Sequence, residues 1–283
     1  MFQRIAAKFF WDFYDYLGRL ILANILMSLA IMGLATGLVI LLYPVYVSLG
    51  RPPIILAIGA GLFVILALPL PAAGISSFLS RITEDKEPEV RDILQGLRLH
   101  YWPLVKLTAV FVLLFEALLV NILFYLSARR VPSSLKLVSM IISGLCVWIF
   151  LYLGAMMLYA YPLAVHQKVG MKKIIIRSFV LVLDNLGVTL LALILVLGIL
   201  GLGLVTKGAA FLILNLALIG SLANSLYVNV MEKYEIRETQ NEKQEASSPM
   251  PASWKEIKDQ EFIEDRHQRY RRKLRDILKP WEY

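Results

Sequence analysis

Residues Leu20–Gly50 read LILANILMSLAIMGLATGLVILLYPVYVSLG and contain no Asp, Glu, Lys or Arg. About 20 apolar residues in a helix cross the hydrocarbon core of a bilayer, so this run is long enough. Five more runs follow: Pro52–Ser80, Leu107–Ser127, Leu137–Val165, Asn185–Thr206 and Gly208–Met231. Each is almost free of charge and long enough to span. The chain therefore reads as an all-α polytopic membrane protein with six transmembrane helices.

Composition agrees. Hydrophobic residues make up 58% of the 283, against roughly 45–50% in soluble domains. The excess lies in the six runs. The first run is too long for the apolar region of a signal peptide and has no small-residue cleavage site after it, so it is expected to stay. Cys146 is the single cysteine, which excludes an intrachain disulfide. His100, His166 and His267 are far apart and lack metal spacing. No protease, hydrolase, phosphate-loop or dinucleotide motif is present. The residues name no catalytic group, metal or cofactor.

Charge gives direction. Glu232–Tyr283 holds 12 Lys/Arg and 12 Asp/Glu, so the net +8 belongs to the membrane part. It flanks the spans, which points to topology and anionic headgroups rather than nucleic acid. Arg4, Lys8, Arg19, Arg81, Lys86, Arg91, Arg98, Lys106, Lys168, Lys172, Lys173 and Arg177, with the tail, put 24 basic residues on one side. Arg51, Arg129, Arg130, Lys136 and Lys207 put 5 on the other. Cytoplasmic loops carry the basic excess. Six alternating spans with both termini in the cytoplasm follow as the expectation, in a cytoplasmic (inner) membrane.

Two kinds of element are expected on the membrane surface. Residues 1–19 place Phe2, Ile5, Ala6, Phe9, Phe13 and Tyr16 at helical spacing, with Arg4, Lys8, Asp12 and Asp15 in a more polar sector. This predicts an interfacial amphipathic helix. Val90, Ile93, Leu94, Leu97 and Tyr101 predict a second one, turning at Trp102-Pro103 into span three. Gly170–Leu183 predicts a third, before span five. Spans two and three with their connecting helix thus resemble spans four and five with theirs, and read as a parallel repeat. Pro69 and Pro71 are expected to kink or break span two.

Polar residues inside spans are the functional candidates. Glu116 sits mid-span in helix three, where a carboxylate costs roughly 2.5–3.5 kcal/mol on insertion scales. It is expected to face the bundle and find a partner, with low dielectric favouring the protonated form. The competing readings are a proton- or cation-coupling site and a neutral structural residue. Lys106 and Asp184 lie near the basic ends of spans three and five, where an ion pair is geometrically reasonable. Asn121, Asn185, Asn215, Asn224 and Asn229 read as bonds across helices.

The six-helix domain covers 20–231, a polar linker 232–253 and a charged cytoplasmic helix 254–283. Arg266, Arg269, Arg271, Arg272, Lys273 and Arg275 form a basic cluster in that helix. It suits a bilayer surface or a cytoplasmic or membrane protein partner.

The aromatic segment leading into Arg19-Leu20-Ile21-Leu22-Ala23-Asn24, the passage Pro69–Ser80 into Arg81, and Ile93–Pro103 carry a resemblance. Over about residues 5–230 the chain resembles the YesL-like family of bacterial membrane proteins, a family of unknown function. The resemblance implies a bacterial inner membrane and a setting beside carbohydrate uptake, and supplies no catalytic residues. The leading reading is a non-enzymatic accessory or regulatory membrane component that assists transport. Two alternatives stay open: a secondary transporter with Glu116 as coupling residue, and a membrane-embedded lipid-handling enzyme.

Overall fold

A computed structural model describes residues 2–50, 53–83, 88–126, 136–167 and 169–245. The elements are α1 (Phe2–Asp15), α2 (Leu17–Ser48), α3 (Pro53–Ala67), α4 (Pro69–Thr83), α5 (Val90–Leu126), α6 (Lys136–His166), α7 (Met171–Asp184), α8 (Leu186–Val205), a π turn (Phe211–Asn215) and α9 (Leu216–Glu245). No strand occurs among the described residues. Six helical stretches are long and apolar enough to cross a membrane, and they coincide with the six apolar runs. The polar stretch after Met231 is not a linker throughout, because α9 continues to Glu245. The basic cluster Arg266–Arg275 and the rest of the tail lie outside the described residues.

Prolines act unequally. Span two breaks at Leu68, and Pro69 opens α4, where its missing N–H costs nothing. Pro44, Pro103 and Pro162 sit inside α2, α5 and α6 without ending them. No break falls at Trp102-Pro103, and α5 is one helix of 37 residues. The reason is packing: α4 lies along the first turns of α5, with Gly96 as the point of closest approach. A Cβ at Gly96 would meet the Ser77 hydroxyl and stand 2.7 Å from the Ala73 carbonyl oxygen. The second unit differs, for there span four is unbroken and the break falls at Asn185, between α7 and α8. The two units of the expected repeat thus place their breaks differently.

Two helices expected on the surface also pack against the bundle. In α1, Ile5, Lys8, Trp11 and Asp12 are buried while Phe10 and Tyr14 are exposed. Ile5 joins the core cluster that holds Leu226, Tyr227 and Val230 of α9. Lys8 Nζ and Asp12 Oδ2 stand 3.4 Å apart on the buried face. The pair neutralises itself, so Lys8 and Asp12, expected to face water, point inward, while Asp15 stays exposed. Helix α7 buries Ile174, Ser178, Leu181 and Val182. The Tyr152 hydroxyl of α6 donates to the Phe179 carbonyl at 2.7 Å. Tyr152 lies 14 residues before His166, about 21 Å along the helix. Thus α7 climbs back along α6 rather than lying flat, and at about 21 Å it is too short to cross the core.

From the top of α7 the chain returns. Thr189, in the first turn of α8, shares a 2.8 Å hydroxyl–hydroxyl bond with Tyr159. Helix α8 closes at Lys207 (φ 52°) and Gly208 (φ 92°), where the Gly208 N–H returns to the Gly203 carbonyl at 2.8 Å. Gly203 has no side chain because the Phe211 ring occupies that space.

The position of this turn is fixed by Asn24. Its Nδ2 donates to the Phe211 and Leu212 carbonyls, each at 2.8 Å, and its Oδ1 accepts from the Ala217 N–H at 2.8 Å. Ser28 adds a bond to the Phe211 carbonyl at 3.1 Å. The Asn24 side chain is fully buried. Five residues earlier, Arg19 donates to the Pro88 carbonyl at 3.0 Å. The α8–α9 turn therefore lies at the end of the bundle that holds Arg19 and Pro88, which we call the basic end. Counting charge placed Lys207 opposite Arg19, and the packing places them together. One lysine weighs little in that count, whereas Asn24 binds three backbone groups of the π turn and its flank.

Candidate functional site

At the basic end α4, α5, α6 and α7 splay around a cleft of about 710 Å³. Helix α5 supplies one face at helical spacing: Asp92, Gln95, Leu99, Pro103 and Lys106. This is the stretch that stays helical through Pro103. Helix α4 adds Ser77, Ser80 and Arg81, and the α6–α7 connection adds His166, Gln167 and Val169.

The rim is braced. Arg81 Nε and Asp92 Oδ1 stand 3.2 Å apart, and Asp92 Oδ2 accepts from the Glu89 N–H at 2.9 Å. The carboxylate thus closes the start of α5, where the positive end of the helix dipole favours it. Across the cleft, His166 Nε2 and Asn224 Oδ1 are 2.8 Å apart, and the His166 ring stacks on Tyr227 with centroids 5.0 Å apart. Gln167 Nε2 donates to the Tyr227 hydroxyl at 3.2 Å, and Arg177 donates to Gln167 Oε1. These bonds tie the α6–α7 connection to α9.

Lys106 stands apart from them. It lines the cleft, is exposed, and has no hydrogen bond or ion pair among the described residues. The expected partner, Asp184, instead accepts from the Tyr234 hydroxyl at 2.8 Å. Asn185 beside it bonds Lys233 Nζ at 3.1 Å. The α7–α8 junction is thus fastened to α9 and not to α5.

Glu116 also departs from expectation. The buried positions of α5 run Leu104, Leu107, Thr108, Phe111 and Val112, and Glu116 falls just off that stripe and is exposed. It sits over Gly61 of α3, where a Cβ would stand 2.7 Å from Glu116 Oε1. No hydrogen bond or ion pair to it occurs among the described residues. Asn121 is exposed and donates to Ala117 of its own helix at 2.7 Å. Of the other asparagines, Asn185, Asn215 and Asn224 bond across helices, while Asn229 returns to Ser225 of its own helix. Asn24 is the strongest of these ties, and its type alone does not separate it from the rest.

A bundle of six apolar helices with a polar cleft at its basic end defines a multi-pass α-helical membrane protein. Comparison with family models, curated proteins and solved structures finds no match.

Proposed function

We propose that the chain is a non-catalytic, accessory component of a bacterial cytoplasmic membrane that assists transport, with its basic end in the cytoplasm. The observation that carries this reading is where the polar groups go. Those inside the bundle hold helices together: Asn24 to the π turn, Thr108 to Tyr161 at 2.9 Å, and Tyr159 to Thr189. A second set of polar side chains, among them Gln95, Asp92 and Arg81, lines a cleft at one end beside an exposed lysine. That arrangement suits binding at one face better than passage through the bundle. The YesL-like resemblance favours the same setting. The tail beyond Glu245 adds a basic docking peptide for a partner.

The runner-up is a secondary transporter with Glu116 as its coupling group. An acid at mid-span beside a glycine gap is the observation that favours it. Reconstituted flux with the purified chain separates the two readings. The accessory reading expects no solute flux from the chain alone, and uptake by native vesicles that falls when the chain is removed. It further expects Glu116→Gln to restore that uptake as well as the native chain does. Flux by the purified chain that Glu116→Gln abolishes would replace it with the transporter.

A further inference from the structure

We propose that the cleft at the basic end holds the phosphate headgroup of an anionic phospholipid, with Lys106 as its cation. The cleft's volume, about 710 Å³, suits a small ligand or headgroup. Among the described residues its ionic lining is cationic in balance: Arg81 and Asp92 neutralise each other at 3.2 Å, and the Lys106 ammonium has no such match there. Lys172 and Lys173 follow the lining residue Met171, are exposed and lie outside the lining.

Hydrogen-bonding groups stand beside the cation. The Gln95 amide lines the same cleft. Ser77, also in the lining, has a buried Oγ with no hydrogen-bond partner among the described residues. A phosphate oxygen accepts from an ammonium and from hydroxyl or amide donors at once, which a carbonyl ligand does less strongly.

The other half of the wall chooses the source of the phosphate. Leu107, Val165 and Ile174 are apolar, Leu99 in the same wall is 67% exposed, and Trp102, one turn before Lys106 on α5, is 65% exposed. An indole beside lysines marks the headgroup layer of a bilayer. A soluble phosphate has no use for that wall, whereas a lipid lays its acyl chain along it. Basic pockets between helices at the cytoplasmic face recognise anionic headgroups by this combination.

The inference uses the cleft as a binding site and does not depend on the accessory role, because lipid retention and solute flux are read separately. The test uses the full chain in nanodiscs of phosphatidylcholine mixed with phosphatidylglycerol, and native mass spectrometry counts the lipid retained on release. The native chain should retain phosphatidylglycerol over phosphatidylcholine. Lys106→Gln should lower that preference on the order of fivefold, the effect of one lysine near an anionic surface. Leu99→Trp, which narrows the mouth without touching charge, should lower it as well. Lys172→Gln, outside the cleft, should change it less than Lys106→Gln does. An equal loss from Lys172→Gln would show general surface attraction and overturn the site. Absence of any preference, with inorganic phosphate binding that Lys106→Gln removes, would assign the cleft to a soluble anion and overturn the lipid.

Discussion

Replacing Asn24 with leucine is expected to destabilise the fold by about 3 kcal/mol. The substitution keeps size and improves lipid solubility, so the loss measures the bonds. The Leu212 carbonyl and the Ala217 N–H lose this partner together, and the Phe211 carbonyl keeps only the bond from Ser28. A π turn closes its bonds one residue later than an α-helix does, and side chains from neighbours steady the groups it displaces. Single interhelical bonds in membranes average about 0.6 kcal/mol, but each buried group left unpaired costs about 1–3 kcal/mol. Two such groups set the estimate. Asn121→Leu is the matched control, since Asn121 is exposed and bonds only its own helix. Its effect should stay within about 0.5 kcal/mol. Unfolding of both variants in mixed micelles, followed by circular dichroism, compares them directly.

Gly96→Leu should be the more damaging change. A Cβ there meets the Ser77 hydroxyl and the Ala73 carbonyl, so α4 cannot stay where it is. The carbonyl belongs to a helix backbone and cannot rotate away. Overpacking of this kind costs about 1–3 kcal/mol in ordinary cores, and the rigid contact places this site at or beyond the upper end. Gly96 also lines the cleft, so moving α4 reshapes it and shifts Arg81 from Asp92. Gly144→Leu offers the contrast, because a Cβ there meets nothing within 4 Å. The expected readout is a lower unfolding midpoint for Gly96→Leu and an unchanged one for Gly144→Leu.

The spans were legible because an uncharged run of more than about 20 residues has few other fates in a chain of this kind. The break before α4 was legible too, since Pro69 and Pro71 end a helix that must leave the apolar core. Pro103 looked like the same signal and is not one, because α4 supports α5 through that point. Periodicity misread α1, for it treats Lys8 and Asp12 as outward-facing when the two neutralise each other inside. It also expected Glu116 to point inward, although the buried stripe of α5 passes one position away. The cleft is assembled from four elements, and only Lys106 among its polar residues stood out in the sequence. His166 and Gln167 matter there through contacts with Asn224 and Tyr227, nearly 60 residues on.

The position of the α8–α9 turn separates the packing from the charge pattern most sharply. In the structure Asn24, five residues from Arg19, holds the π turn that follows Lys207, whereas Leu49 lies 25 residues further along the chain at the other end of α2. Strict alternation of six spans instead puts the α8–α9 turn at the far end, with Leu49. Single cysteines at Glu89, Lys207 and Leu49, in a chain whose Cys146 is replaced by alanine, report this through labelling by a membrane-impermeant maleimide. The packing predicts that positions 89 and 207 label from one side of the membrane and position 49 from the other. Labelling of 207 together with 49, and apart from 89, would contradict the contact between Asn24 and the π turn and the bundle built on it.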